Sequence, residues 1–510
     1  MKKNNIFKAL GIVILFYVLC SWIVPVIYSL TGSDVEVSYQ IGIFSIFSVI
    51  LETFSGFGSI VLFVLMVGAF YGVLKATGAY EKMMNVLTDK ARGREKMVLV
   101  AIMILMALIS SISGLELGML VVFPILMGFV VKMGYDKLVA VSATLGATII
   151  GMYGSTFAGT FYGINNTILS LENFDKIFVK ILFLVLGLAA LIVFTLMHAK
   201  KKAVKLDAKK ETKDKVVKET VKKNTNKKSS AKSQSSKKSN NKNSVVKEEK
   251  SEVKSKKVVK DKKERSALPA FIIFGILILV LFLGTTAWEV IFGSNWFATF
   301  HETWTGVTIG EFDILNKLFG GVDPLGTWSN PLRFQTYSML LLIASIILAI
   351  VYRKSIEETF NGFVDGIKSF IAPAIAVILA CSVFVFIYYN PVISPVTSLL
   401  LEATDEFNVA LSSIYTIINS VFYVDYYYLS YSVLYPMISI YTDTSVLSII
   451  SVMFTNLYSL VMLIAPTSVL LVVSLLISEV NYTTWFKYIW KLVVTLLIIS
   501  LIVFSVMLLI

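Results

Sequence analysis

Two cysteines and two histidines are all that 510 residues contain. Cys20 and Cys381 each sit in an apolar run, so neither a disulfide framework nor a thiolate metal spacing is present. His198 and His301 are too distant in sequence to form a recognisable metal or catalytic motif. No G-x-x-x-x-G-K-[ST] sequence occurs, so ATP-driven pumping by this chain alone is not expected. The sequence therefore predicts no enzyme, no resident metal and no cofactor. An ion gradient or substrate exchange is left as the energy source. Charge is scarce too, at 15% of residues against 56% hydrophobic, with a mean hydropathy of +0.78.

That balance describes an all-α polytopic membrane protein. Residues 7–30, 59–77, 178–197, 271–283 and 492–510 are long or apolar enough to enter about 30 Å of hydrocarbon. The apolar run after Lys2 and Lys3 continues without a small-residue cleavage site, so it reads as a retained first span rather than a signal peptide. The net charge of +13 is not spread over the chain. Residues 200–265 hold 25 Lys and one Arg against nine acids, which is +17 and leaves −4 for the remainder. That tract lacks glycine, proline and any sustained apolar face, as a solvated cytoplasmic tether would. Its lysines would also attract anionic lipid headgroups. Without interleaved aromatics it does not read as a nucleic-acid binder. The organisation is thus a membrane half over 1–198, a linker over 199–266 and a second membrane half over 267–510.

Basic loops orient the chain. Lys2, Lys3 and Lys8 put the N-terminus inside, with the Lys-rich linker on the same side of the cell membrane. Residues 33–52 read as a polar loop with a short amphipathic piece, and 57–73 as the returning span. Residues 97–131 form two apolar arms around Ser110-Ser111-Ile112-Ser113-Gly114, each too short to cross comfortably. This pattern predicts a re-entrant hairpin. A span over 138–167 is then broken at Gly154-Ser155-Thr156, and 177–197 returns to the linker. After an extra span over 269–290 and an aromatic-rich external loop over 292–329, the second half repeats the order in mirror image. Residues 336–351 and 370–389 are spans, the latter after an amphipathic 356–368. Residues 409–439 form the second hairpin. Residues 444–478 are a span broken at Ala465-Pro466-Thr467-Ser468, and 488–510 the last span.

The two breaks are 312 residues apart, and Pro124 and Pro436 end short apolar segments at that same offset. Broken helices at matching places in two halves of opposite orientation point to a transporter with inverted repeats. Unwound backbone survives in a membrane only where it lines a cavity or is held by protein.

Four polar clusters are expected to meet near the midplane. Ser111 and Ser113, then Gly154, Ser155 and Thr156, come from the first half; Asn419 and Ser420, then Pro466, Thr467 and Ser468, come from the second. Hydroxyls beside freed carbonyls suit Na⁺, in this chain at Ser155, Thr156, Thr467 and Ser468. The half-helix after each break suits a carboxylate. The plainer alternative is a hydroxyl bonded back to its own helix. Glu116 and Asp425 lie just past the hairpin tips in uncharged surroundings, either as helix caps or as proton, cation or substrate-ammonium sites. Asn419 and Asn456 would serve equally as interhelical glue. The tyrosines around Tyr426 would stack on substrate or simply pack.

With these clusters placed, the chain resembles the YfcC-like branch of the ion transporter superfamily, near the anaerobic C4-dicarboxylate carriers. The resemblance rests on Gly114-Leu115-Glu116 running to Phe123-Pro124-Ile125-Leu126, on Gly154-Ser155-Thr156, and on the segment from Leu463 to Leu470. It continues from Asn481 through Trp485 to Trp490. It implies a scaffold and a moving domain, a carboxylate-bearing small molecule as substrate, Na⁺ or H⁺ as coupling ion, and a homodimer. Ala158-Gly159 and Ala465 depart from the family pattern, as do Asp425 and the tyrosines at the second tip. These departures shift the expectation from a dianion towards an amino acid.

Two other readings remain open. One is a Na⁺/H⁺-type antiporter with Glu116 and Asp425 as transporting groups. The other is a non-transporting scaffold that recruits partners through the lysine tract.

Overall fold

The computed structural model describes residues 5–31, 40–172, 174–199, 266–293, 296–310, 312–319, 333–404, 406–422 and 426–509. Asp425 and the whole lysine tract over 200–265 lie outside these residues. In the first half the helices are α1 (Ile6–Thr31), α2 (Ile43–Ala76), α3 (Ala79–Ala91), α4 (Glu95–Ser113), α5 (Phe123–Lys132) and α6 (Lys137–Tyr153). A short α7 (Ile164–Leu169) and α8 (Ile177–Ala199) complete it. After α9 (Leu268–Thr285), the loop region carries α10 (Trp288–Phe292), α11 (Trp296–Thr305) and α12 (Ile314–Phe319). Between α11 and α12 sits a two-residue antiparallel pair, β1 (Thr308–Ile309) with β2 (Phe312–Asp313). Then follow α13 (Arg333–Val351), α14 (Ile356–Tyr389), α15 (Ile393–Ser398), α16 (Val409–Phe422) and α17 (Tyr426–Ile440). The chain ends with α18 (Thr444–Met462), α19 (Val469–Ile477) and α20 (Tyr482–Leu509). Among the described residues nine helices are long and apolar enough to cross a membrane: α1, α2, α4, α8, α9, α13, α14, α18 and α20. The protein is an all-α polytopic membrane protein, as the composition predicts.

Two helices are longer than expected. The segment read as a loop and amphipathic piece before residue 57 belongs, from Ile43 on, to α2, which runs 34 residues without interruption. Residues 356–368 likewise begin α14, also 34 residues long. At 1.5 Å per residue each spans about 51 Å, well beyond the hydrocarbon thickness. Glu52 and the serines and glycines of residues 55–59 suggest a loop, but membrane helices tolerate glycine, and Glu52 accepts a hydrogen bond from Tyr389 of α14. The start of α14 is set by a capping box: Ser355 accepts from the Glu358 amide, and the Glu358 carboxylate accepts from the Ser355 amide.

These two helices cross antiparallel through glycine. A Cβ at Gly68 would lie 2.7 Å from the Gly366 carbonyl, and one at Gly72 would collide with the Gly362 carbonyl. Gly68-x-x-x-Gly72 therefore meets Gly362-x-x-x-Gly366 backbone to backbone, the small-residue contact that joins helices where lipid offers no hydrophobic drive. Further along the pair, Phe57 packs edge-on against Phe384 at 5.5 Å.

The chain returns after α4 as a hairpin. Gly114 closes α4 in the left-handed conformation (φ 67°), and a Cβ there would meet Ala158 and Thr160. A 3₁₀ turn (Leu117–Val121) leads into α5. At its end Lys132 donates to Asn85 of α3 at 2.6 Å, on the side from which α4 set out. The first arm, at 19 residues, is longer than the sequence pattern suggests. Arms α16 and α17, of 14 and 15 residues, form the second hairpin, bridged by Tyr415, whose hydroxyl donates to the Val433 carbonyl at 3.3 Å. The two prolines are not equivalent: Pro124 opens α5, whereas Pro436 lies inside α17. Asp443 caps α18 by accepting from the side chain and amide of Ser445, which holds its carboxyl below the usual range.

Residues 1–196 with 266–510 form one unit and 197–265 a second, of which only 197–199 are described. The two membrane halves interleave within the first unit. We expect Gly72→Val to destabilise the protein by about 1–3 kcal/mol or to prevent folding, since backbone cannot yield to a new side chain. Gly56→Val, where a Cβ meets nothing within 4 Å, should be tolerated. Thermal midpoints of the two variants in detergent check this.

Candidate functional site

Each helix break frees backbone carbonyls, and side chains from neighbouring elements take them up. Helix α6 stops at Tyr153 because Gly154 leaves the helical conformation (φ −110°, ψ 48°). Gly154 is pressed so closely on the α8 backbone at Leu184 that a Cβ would overlap it. The Tyr153 carbonyl accepts from Asn456 Nδ2 at 3.1 Å, and the Gly154 carbonyl from Ser111 Oγ at 2.7 Å. Thr156 locks onto the hairpin tip: its amide donates to the Ser111 carbonyl at 3.0 Å, and its hydroxyl lies 3.0 Å from Ser111 Oγ.

The second break repeats the pattern with different residues. The Leu463 carbonyl accepts from Trp485 Nε1 and the Ile464 carbonyl from the Tyr482 hydroxyl, both at 2.8 Å. Pro466 carries no amide hydrogen and asks for no partner. Thr467 Oγ1 donates to the Val421 carbonyl at the end of α16, and Ser468 caps α19 by accepting from the Leu471 amide at 3.3 Å. So a threonine after each break holds a carbonyl of its own hairpin, 45 residues upstream in one half and 46 in the other.

The four clusters expected to meet in one place are joined instead as two separate pairs. Ser111 joins Gly154 and Thr156; the end of α16 joins Thr467. Each of these clamps stays within its own half. Several candidates are occupied locally. Ser113 donates to the Ile109 carbonyl at 2.6 Å and Ser420 to the Thr416 carbonyl at 2.7 Å, each back onto its own helix. Asn419 donates to Thr397 at 3.2 Å and to the Tyr415 carbonyl, and Asn456 to the first break, so both act as interhelical glue. Glu116 sits at the cap position of the 3₁₀ turn without a side-chain cap bond; it is half-buried and within electrostatic reach of Tyr426. No group of three or more His, Cys, Asp or Glu suited to a metal ion occurs among the described residues.

Ser155 differs from its neighbours. It is 4% exposed, and its hydroxyl finds no hydrogen-bond partner. It lines a narrow cleft with Tyr153, Lys180, Ser451, Val452 and Thr455. Beside that cleft the Tyr426 hydroxyl bonds Asn165 Oδ1 at 3.1 Å and Thr455 Oγ1 at 2.8 Å, while Asn165 Nδ2 donates to the Ser451 carbonyl at 3.2 Å. The Tyr426 ring packs edge-on against Phe161 at 4.6 Å, so it is buried between protein groups. Sequence reasoning missed Lys180, Asn165 and Thr455. Lys180 was legible as the single charged residue between Ile177 and Met197; the other two carry no local signal. A wider, open cleft lies between the α2–α14 crossing and helices α5 and α19, lined by Tyr71, Lys75, Tyr80 and Asp365 among others. At its edge Lys137 pairs with Glu479 at 2.6 Å.

Residues 35–509 match the DcuC family, the C4-dicarboxylate anaerobic carriers. The chain belongs to that family. It is a polytopic membrane protein of a carrier family, and the resemblance read from the break motifs is borne out. An uncharacterized protein of Haemophilus influenzae is similar over a shorter stretch, 27% identical over 142 residues. That match covers 28% of this chain and 28% of the relative's length.

In this chain the aromatic C-terminal motif does a defined job, which is to satisfy the second break. Trp485→Phe should leave the Leu463 carbonyl without its donor and destabilise the protein by about 1–3 kcal/mol. Asn456→Leu should do the same at the Tyr153 carbonyl. Denaturation midpoints of the purified variants measure both losses.

Proposed function

We propose that this chain is a secondary carrier that moves a C4-dicarboxylate, or a related carboxylate-bearing metabolite, across the cell membrane by alternating access. The observation that carries the proposal is the pair of helix breaks, each clamped by a threonine to its own hairpin tip. Each clamp makes hairpin and broken helix a single body able to move together. The long α2–α14 crossing would be the scaffold against which they shift, and the open cleft beside it a route to one side of the membrane. The near-equal spacing of the clamps and the antiparallel crossing of α2 with α14 support inverted repeats. The N-terminus and the lysine tract would face the cytoplasm, with anionic lipid as a contact for the tract. Na⁺ or H⁺ coupling, or exchange, would drive the cycle, and the working unit would be a homodimer.

Within this reading the hydroxyls divide. Thr156, Thr467 and Ser468 hold the breaks together, whereas Ser155 is spare and is assigned to substrate or ion. Ser155→Ala should reduce uptake of a labelled four-carbon dicarboxylate by about ten- to a hundredfold, the worth of one hydrogen bond to a charged group, with an unchanged thermal midpoint. Thr467→Ala should lower the midpoint as well. Proteoliposome uptake with imposed Na⁺ or pH gradients, read beside thermal unfolding, tests both. Wild-type uptake by Ser155→Ala would remove the site. A second reading keeps Glu116 as a transporting carboxylate, favoured by its half-buried position near Tyr426. Proton flux driven by Na⁺ without any organic solute would select the antiporter instead.

A further inference from the structure

Lys180 stands in the first turn of α8 with 7% of its surface exposed, in a helix otherwise uncharged from Ile177 to Met197. Keeping an ammonium among apolar helices is costly, and such a group usually serves an anion or a pathway. Asp175, half-buried in the preceding turn, is an acid whose field reaches it. The rest of its setting suits a ligand. The cleft that Lys180 lines also holds the Ser155 hydroxyl, buried and without a partner, at the point where α6 unwinds. Opposite, Ser451 and Thr455 come from α18 of the other half, so a ligand held there would bridge the two halves. In this conformation the cleft has room for about one water, so a solute enters only when its walls part. A closed cleft of this kind fits an occluded state in an alternating-access cycle.

We propose that Lys180 is the counter-charge for one carboxylate of the transported anion, with the Ser155 hydroxyl donating to the same carboxylate. The inference rests on the reading of the chain as a carboxylate carrier and adds the residue that selects the charge. It reverses the leaning towards an amino acid drawn from Asp425. A fixed cation beside a spare donor discriminates by anionic charge, and replacing one carboxylate of a diacid by its amide removes that charge at nearly constant shape.

The test is equilibrium binding of succinate and of its monoamide to the purified full-length chain, in wild type, Lys180→Gln, Lys180→Met and Lys180→Arg. Wild type should prefer succinate. The Gln and Met variants should bind succinate about 30-fold more weakly or worse, as expected when one partner of a buried charge pair is lost. Their preference for succinate over the monoamide should collapse, and Lys180→Arg should retain part of it. Unchanged succinate affinity in a neutral variant would overturn the inference while leaving the carboxylate-carrier reading intact. Loss of the folded protein in both neutral variants, with Lys180→Arg folded, would make Lys180 a structural cation and overturn it equally. Failure of wild type to bind either acid would overturn the carrier reading, and this inference with it.

Discussion

An unwound peptide in a membrane must find its hydrogen-bond partners inside the protein, and the two broken helices of this molecule are arranged around that requirement. Two helices stop near their middles. The carbonyls released at Tyr153, Gly154, Leu463 and Ile464 are taken up by Asn456, Ser111, Trp485 and Tyr482. Three of these four donors lie on elements other than the broken helix and its hairpin: Asn456 on α18, Trp485 and Tyr482 on α20. The first break is therefore held in part by α18 of the other half, whereas the second is satisfied by α20 of its own half.

The same requirement separates structural hydroxyls from spare ones. A serine or threonine in hydrocarbon seeks a carbonyl, and most in this protein find one within their own helix or across a break. Ser155 is the member of the first break motif that does not, while Thr156 beside it and Ser111 of the hairpin are engaged. Position in a motif thus says little about which hydroxyl is free for a ligand. The distinction is made by the backbone torsion at Gly154, which turns one residue of the motif towards Ser111 and leaves another facing α8 and α18.

Around this polar centre the packing is backbone on backbone. The glycine crossing of α2 and α14 brings two 34-residue helices closer than any side chain would allow. Gly151 against Ala107 and Gly154 against Leu184 use the same device between α6 and its neighbours α4 and α8. Close contacts of this kind have few alternative arrangements, and the open cleft along α14 and α19 lies beside them.

Much of this is legible in the sequence alone. Apolar runs set the spans, because hydrocarbon thickness fixes their length, and Gly154 and Pro466 mark the breaks, because each weakens a helix by local stereochemistry. The hairpins follow from arms with polar centres. The sequence misleads where a local signal is overruled by a distant partner. Glu52 and its neighbouring glycines look like a loop but continue α2, since Tyr389 and the crossing with α14 stabilise them. Ser113, Ser420 and Asn419 look like ligands but are spent on their own helices or on Thr397. The meeting of Lys180 with Ser155, Ser451 and Thr455 belongs to the tertiary structure alone. Residues up to 300 positions apart share a cleft only once α8 and α18 pack on either side of the break, and no periodicity along the chain records that.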